Sequence, residues 1–190
     1  MHEAETAVAF SPTSRSPQTY STVRGRFAEG DLLGFRGRGP VSWAIRLLTY
    51  SPYSHAGLVH LFEGRVYCLE AVGSGVRLCL MSELVKRYEG GIDYFEVVDA
   101  TEAQRRGAVS FAFQQLGRRF DFLGLLRFTF WLIVRRRPRS RVDPRWFCSE
   151  LVAEAYRRQG LRLGRRSASY TSPSDLTEGD GVRYRFRIKR

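Results

Sequence analysis

Between residues 55 and 81 three apolar segments follow one another with almost no chain between them: HAGLVHLF (55–62), RVYCLEAV (65–72) and VRLCLM (76–81). The links are EG at 63–64 and GSG at 73–75. Links this short close hairpins but leave no room for a crossover, so the strands run antiparallel. Two further segments, GDLLGF (30–35) and IDYFEVV (92–98), read as buried strands. Near the end of the chain, Val182, Tyr184, Phe186 and Ile188 alternate with Arg183, Arg185, Arg187 and Lys189. That period of two predicts an edge strand with one apolar and one cationic face. Helical spacing marks 41–50, with Ser42 as a possible cap, and 101–117, with Thr101 as N-cap and Gly117 at the C-terminal end. Another helix surrounds Cys148 and ends at Gly160. Strands and helices are segregated, with no regular βαβ repeat, which predicts the α+β class with an antiparallel sheet packed against helices.

The chain has 190 residues, 43% of them hydrophobic, enough for one domain with its own core. Residues 1–24 are rich in Ser, Thr and Pro and read as a disordered tail without the apolar h-region of a secretory signal. The single domain is expected over 25–190. The net charge is +12, and 29 of the 31 basic residues are arginine, Lys86 and Lys189 being the lysines. That surplus favours anionic partners without naming one. No nucleic-acid motif accompanies it. The apolar stretch 120–134 is interrupted by Arg127, is shorter than a membrane span and is followed by arginines from Arg135 to Arg141. It reads either as an interfacial helix on an anionic membrane or as a buried helix or pocket wall followed by a solvated loop. Three cysteines, Cys68, Cys79 and Cys148, make a poor disulfide framework and a poor zinc site. Reduced thiols and a cytoplasmic setting are the expectation, with membrane association as the variant.

Cys148 is the residue that could carry chemistry. A nucleophilic cysteine needs a base and a setting that stabilises the thiolate. RWFCSELVAEAYRRQG (145–160) places it early in an amphipathic helix, where unpaired N–H groups and the dipole favour negative charge. The helix starts either at Asp143 and Pro144, leaving Cys148 too deep for the full effect, or near Trp146 or Phe147, putting it in the first turn. Of the three histidines, His2 lies in the tail. His55 opens a strand, and His60, five residues on, faces the opposite side. His55 is therefore the candidate base. A third group would fix its tautomer. Glu70, an acid within an apolar strand, needs a partner and falls near the level of His55 once the hairpin turn is centred on 63–64. By residue type alone, an early-helix cysteine is more often core than nucleophile.

The segments GDLLGF, YSHAGLV, VYCLEAV, GRRFDFLGLL, FCSELVAEAY and TSPSDL, in that order over about residues 29–176, resemble the NlpC-like papain-fold cysteine hydrolases of the circularly permuted, YiiX/YebB-like branch. The resemblance implies that fold, with the order His, acid, Cys. It also implies Cys148 as nucleophile, His55 as base and Glu70 as the orienting acid, with no cofactor and no metal. Its substrate would be a peptide amide or an acyl group. Lecithin:retinol acyltransferase-type proteins look similar in arrangement, so acyl transfer and lipid thioesterase chemistry stand as alternatives. So does a catalytically silent module that binds an anionic membrane or, less readily, nucleic acid. The basic 135–141 segment and the arginine-rich last strand lie outside the shared pattern.

Overall fold

The computed structural model describes residues 16–49, 51–119, 147–164 and 171–190. The expectations for 120–134, for Arg135–Arg141 and for a helix start at Asp143, Pro144 or Trp146 fall outside these residues. In chain order the elements are β1 (Gln18–Thr19), α1 (Tyr20–Val23), β2 (Leu32–Arg36), α2 (Pro40–Thr49), β3 (His55–Phe62), β4 (Arg65–Val72), β5 (Gly75–Leu80), α3 (Met81–Arg87), β6 (Gly91–Val97) and α4 (Glu102–Phe113). Then follow α5 (Cys148–Arg157), α6 (Pro173–Thr177) and β7 (Val182–Lys189). The strands form one sheet in the order β1-β7-β6-β2-β3-β4-β5, antiparallel throughout except for the two-residue β1–β7 pairing.

The short links dictate the centre of this sheet. Between β3 and β4 the turn residues Glu63 and Gly64 both take positive φ, 47° and 67°. That is the backbone a two-residue hairpin needs to match strand twist. The resulting register pairs Leu58 with Leu69 and Val59 with Cys68. Alternation then divides the apolar side chains between two cores. On one face Leu32, Ala56, Leu58, Leu69 and Ala71 meet Ala108, Val109 and Ala112 of α4 and Leu151, Val152, Ala155 and Tyr156 of α5. On the other, Leu33, Phe35, Val59, Val66 and Cys68 meet Met81, Leu84 and Val85 of α3, together with Val23 and Phe27. The sheet is thus covered on both sides, in an α+β architecture.

Several boundaries differ from the sequence expectations. Gln18 and Thr19 pair with Ile188 and Lys189, and Val23 is buried, so part of the stretch read as a tail belongs to the sheet and its second core. Met81 leaves the strand and opens α3, a helix not anticipated, because Met81, Leu84 and Val85 make one apolar face at helical spacing. Ser42 lies inside α2 and not at its cap. Thr101 does cap α4, in a reciprocal box with Gln104, but the helix ends at Phe113 and Gly117 closes the following turn with φ 78°.

The last strand is the largest difference. A register shift between Tyr94 and Phe95 leaves one extra residue on β7. Val182 and Tyr184 therefore join the α4/α5 core, while Phe186 and Ile188 join the α3 core. A bulge reverses which face a strand presents, so the single apolar face expected for β7 is divided between the two sides. Nor is β7 the edge strand expected: β1 lies outside it and pairs with Ile188 and Lys189. Among the described residues no helix is long and apolar enough to cross a membrane.

Candidate active site

Helix α5 carries Cys148 to the sheet because both of its ends are fixed. Leu151, Val152 and Ala155 are buried against the sheet, and burying side chains the size of Leu or Val is worth about 1.5–3 kcal/mol each. Two turns on, Tyr156 is fully buried and donates its hydroxyl to the Gly30 carbonyl at 2.6 Å. Gly30 takes φ 77°, and a Cβ there would meet the Tyr156 hydroxyl at 2.6 Å, so the anchor depends on glycine. At the other end Ser149 Oγ donates to the Thr171 carbonyl at 2.5 Å. Thr171 is held in turn by the start of α6. There Ser172 Oγ accepts the Asp175 N–H at 3.1 Å, Asp175 accepts the Ser172 N–H at 2.9 Å, and Pro173 takes the first helical position. The TSPSDL segment therefore works by capping α6 and clamping the residue next to the thiol.

The helix begins at Cys148 itself, with Phe147 as an extended N-cap. Of the two starts left open by the sequence, this is the one with the thiol in the first turn. Cys148 is 9% exposed and lies near enough to the His55 imidazole for each group to shift the other's ionisation. Burial pushes its pKa up. The charge and hydrogen bond of His55, together with the N–H groups of Ala56 and Ser149, outweigh that and hold it below the ordinary thiol value. His55 moves the other way: burial pulls its pKa down, but Cys148 and Glu70 raise it well above the usual imidazole range. The two shifts agree, and both favour the thiolate–imidazolium form.

The carboxylate side is equally determined. His55 Nε2 donates to Glu70 Oε2 at 2.7 Å, which leaves Nδ1 for the thiol. Gly57, not His55, pairs directly with Glu70 by the β3–β4 register, so His55 and Glu70 are diagonal neighbours on one face. Gly57 keeps that face clear: a Cβ there would meet Cys68 Sγ at 2.6 Å and the Leu69 carbonyl at 3.1 Å. Glu70 is only 2% exposed, yet its pKa is lowered. Burial raises it, and the hydrogen bonds and charges of His55 and Arg77 more than reverse this. Arg77 binds Glu70 Oε1 through Nε at 2.9 Å and Nη2 at 2.7 Å. The sequence reading missed Arg77, although the GSG link places residue 77 opposite residue 70. Phe35 flanks the imidazole, with ring centroids 4.9 Å apart.

His55, Glu70 and Cys148 thus come together. His60 points to the other side and pairs with Glu29 at 2.9 Å. Cys68 and Cys79 are register partners on β4 and β5, away from the imidazole's hydrogen bonds.

A thiol at the N-terminus of a helix, against a histidine at the end of an antiparallel strand, defines a papain-like arrangement, here with histidine and acid before cysteine in the chain. Residues 26–175 match the family described as "Permuted papain-like amidase enzyme, YaeF/YiiX, C92 family", and the chain belongs to it. In Escherichia coli K12 it is similar to "Probable lipoprotein peptidase YaeF", 27% identical over 173 residues that cover 77% of this chain and 61% of that protein. It is also similar to "Uncharacterized protein YiiX", 30% identical over 146 residues, with 71% and 60% covered. The chain spans about three-fifths of the length of these relatives. The crystal structure of metalloprotein YiiX from Escherichia coli O157:H7 superposes with a TM-score of 0.66 at 22% identity, covering 85% of this chain and 98% of that one, a likeness of fold. Among the described residues no group of three or more His, Cys, Asp or Glu is arranged to hold a metal ion.

Proposed function

We propose that the chain is a cysteine hydrolase of amide or ester bonds, acting through Cys148, His55 and Glu70 by way of an acyl-enzyme. Family membership supports cysteine hydrolase chemistry at the level of class. The observation that carries the finer reading is that one imidazole, His55, is shared between a thiol at a helix N-terminus and a buried carboxylate.

The thiolate of Cys148 attacks the carbonyl carbon, forming a C–S bond and moving the π electrons onto oxygen. As first helical residue, Cys148 has a backbone N–H with no intrahelical acceptor, the natural donor to that oxyanion. His55 Nδ1–H then protonates the leaving nitrogen or oxygen, the scissile bond breaks, and a thioester remains on Cys148. Neutral His55 takes a proton from water, whose oxygen adds to the thioester carbonyl. The C–S bond breaks, acid is released, and the thiolate–imidazolium pair returns. Glu70 holds Nε2–H throughout, and Arg77 holds Glu70 ionised. The cytoplasmic placement belongs to the same proposal and rests on three free thiols. "Lipoprotein" is said of the E. coli relative.

An activated acyl ester such as p-nitrophenyl acetate tests the acyl-enzyme. A burst of nitrophenol should accompany an acetyl adduct that peptide mass spectrometry places on Cys148, and hydroxylamine should discharge it. Adduct on Cys68 or Cys79 with none on Cys148 would overturn the reading. Discharge by added amines in preference to water would redirect it to acyl transfer.

A further inference from the structure

At the same end of the sheet as the thiol, a cleft of about 680 Å³ opens between the end of β2, the start of β6, the end of β7 and the residues after α3. Its charged side chains are one-sided: Arg36, Arg38, Arg46, Arg187, Lys189 and Arg190 line it against a single acid, Glu89. In so arginine-rich a chain, a solvated basic face is the ordinary alternative. The convergence of six cations on one cleft argues against it, whereas Arg77, Arg105 and Arg185 each meet a carboxylate, Glu70, Asp31 and Glu96.

In the cleft, Arg36 and Arg187 share the one carboxylate of Asp93, each at 2.8 Å, and the Tyr53 hydroxyl already donates to that group at 2.7 Å. Arg38 and Arg46 have no acidic partner among the described residues. Arg46 donates one terminal nitrogen to the Gly37 carbonyl at 3.1 Å, and its Nε is buried with no partner. An oxyanion meets guanidinium donors with charge-assisted hydrogen bonds, and the Arg38 and Arg46 charges have no carboxylate among the described residues to offset them.

We propose that this cleft binds a phosphate oxyanion, gripped by Arg38 and Arg46 with Arg36 and Arg187 behind them. Two rings separate the site from His55: Tyr88 lines the cleft and meets Phe35 at 5.2 Å, and Phe35 is the ring that flanks His55. The phosphate belongs to a soluble compound or to a lipid headgroup. Exposed Trp43 and Leu47, one turn apart on α2 beside Arg46, supply the apolar contact a headgroup site would use. The proposal does not depend on Cys148 being a nucleophile.

Two titrations of the full chain at about 0.15 M salt, where loose surface attraction is screened, test it. One uses inorganic pyrophosphate followed by calorimetry, the other phosphatidylglycerol vesicles followed by flotation. Arg38→Gln/Arg46→Gln should weaken binding at least tenfold. Arg24→Gln/Arg65→Gln, which removes the same charge beside the β3–β4 turn at the far end of the sheet, should change it less than twofold. Because Arg46 also holds Gly37, the single Arg38→Gln variant serves as a second probe, with a loss of threefold or more expected. Loss in the pyrophosphate arm assigns the site to soluble phosphates, and loss in the vesicle arm alone assigns it to a headgroup. No saturable binding in either arm, or equal losses in the cleft and far-end pairs, overturns the site. Both readouts are blind to the thiol, so they leave the hydrolase reading to its own test.

Discussion

Strand β3 carries two histidines, each bound to a glutamate. His55 meets Glu70 at 2.7 Å and His60 meets Glu29 at 2.9 Å, and both imidazoles are 18% exposed. What separates them lies around the pair. Glu70 is 2% exposed and doubly bound by Arg77, whereas Glu29 is 21% exposed and spends its other oxygen on the Leu61 N–H at 2.6 Å. His55 faces a thiol at a helix N-terminus, while His60 lies among Phe62, Tyr67 and Phe113. A histidine–carboxylate pair is thus common property of the strand. The helix terminus and the buried, cation-held acid are what set the His55 pair apart, and the proposed activation of Cys148 rests on them.

The sharpest way to break this comparison is to remove the thiol. Cys148→Ala should lower ester turnover by about 10³-fold or more, as loss of a covalent nucleophile does, while Cys68→Ala leaves it within a few-fold. Next come the acids. Glu70→Gln should cost turnover about 10²-fold, since the amide neither fixes the tautomer nor stabilises imidazolium, and Glu29→Gln beside His60 should change it little. Initial rates on p-nitrophenyl acetate decide both.

A smaller effect follows at Arg77. The lowered pKa of Glu70 means that its pairing stabilises the fold above the ordinary carboxylate range, and that this support fades as pH falls through the lowered value. Arg77→Gln removes one of the two groups that lower it. The acid limbs of both activity and thermal stability should then move to higher pH, with a turnover loss of about tenfold at neutral pH. Smallest is packing: Gly57→Ala presses a methyl group onto Cys68 and should destabilise by about 1–3 kcal/mol, read as a drop in melting temperature.

Much of the site was legible in the chain because hairpin arithmetic carries register. The EG link centres β3 on β4, so Glu70 had to fall within two residues of His55's level, and the five-residue offset sent His60 to the other face. The same arithmetic across GSG assigns Arg77 to Glu70, a pairing available but not drawn. The start of α5 stayed open because Asp143–Pro144 and Phe147 each offer acceptable N-terminal chemistry, and tertiary contacts at Tyr156 and Ser149 choose between them. The bulge in β7 was illegible in principle. Its alternation is unbroken from Val182 to Lys189, and only the partner strand reveals the extra residue. The buried Asp31, which binds the Val97 N–H at 2.9 Å and also Tyr94 and Arg105, was equally hidden, since its partners lie more than sixty residues away.

The central claim is that His55, and not His60, makes Cys148 a thiolate. The pH dependence of Cys148 alkylation by iodoacetamide, followed by peptide mass spectrometry in the wild type, His55→Ala and His60→Ala, tests it most directly. The wild type and His60→Ala should react with a midpoint below the free-thiol value of about 8.5, and His55→Ala should move that midpoint to or above it. Identical midpoints in all three proteins, or a shift produced by His60→Ala alone, would contradict the account.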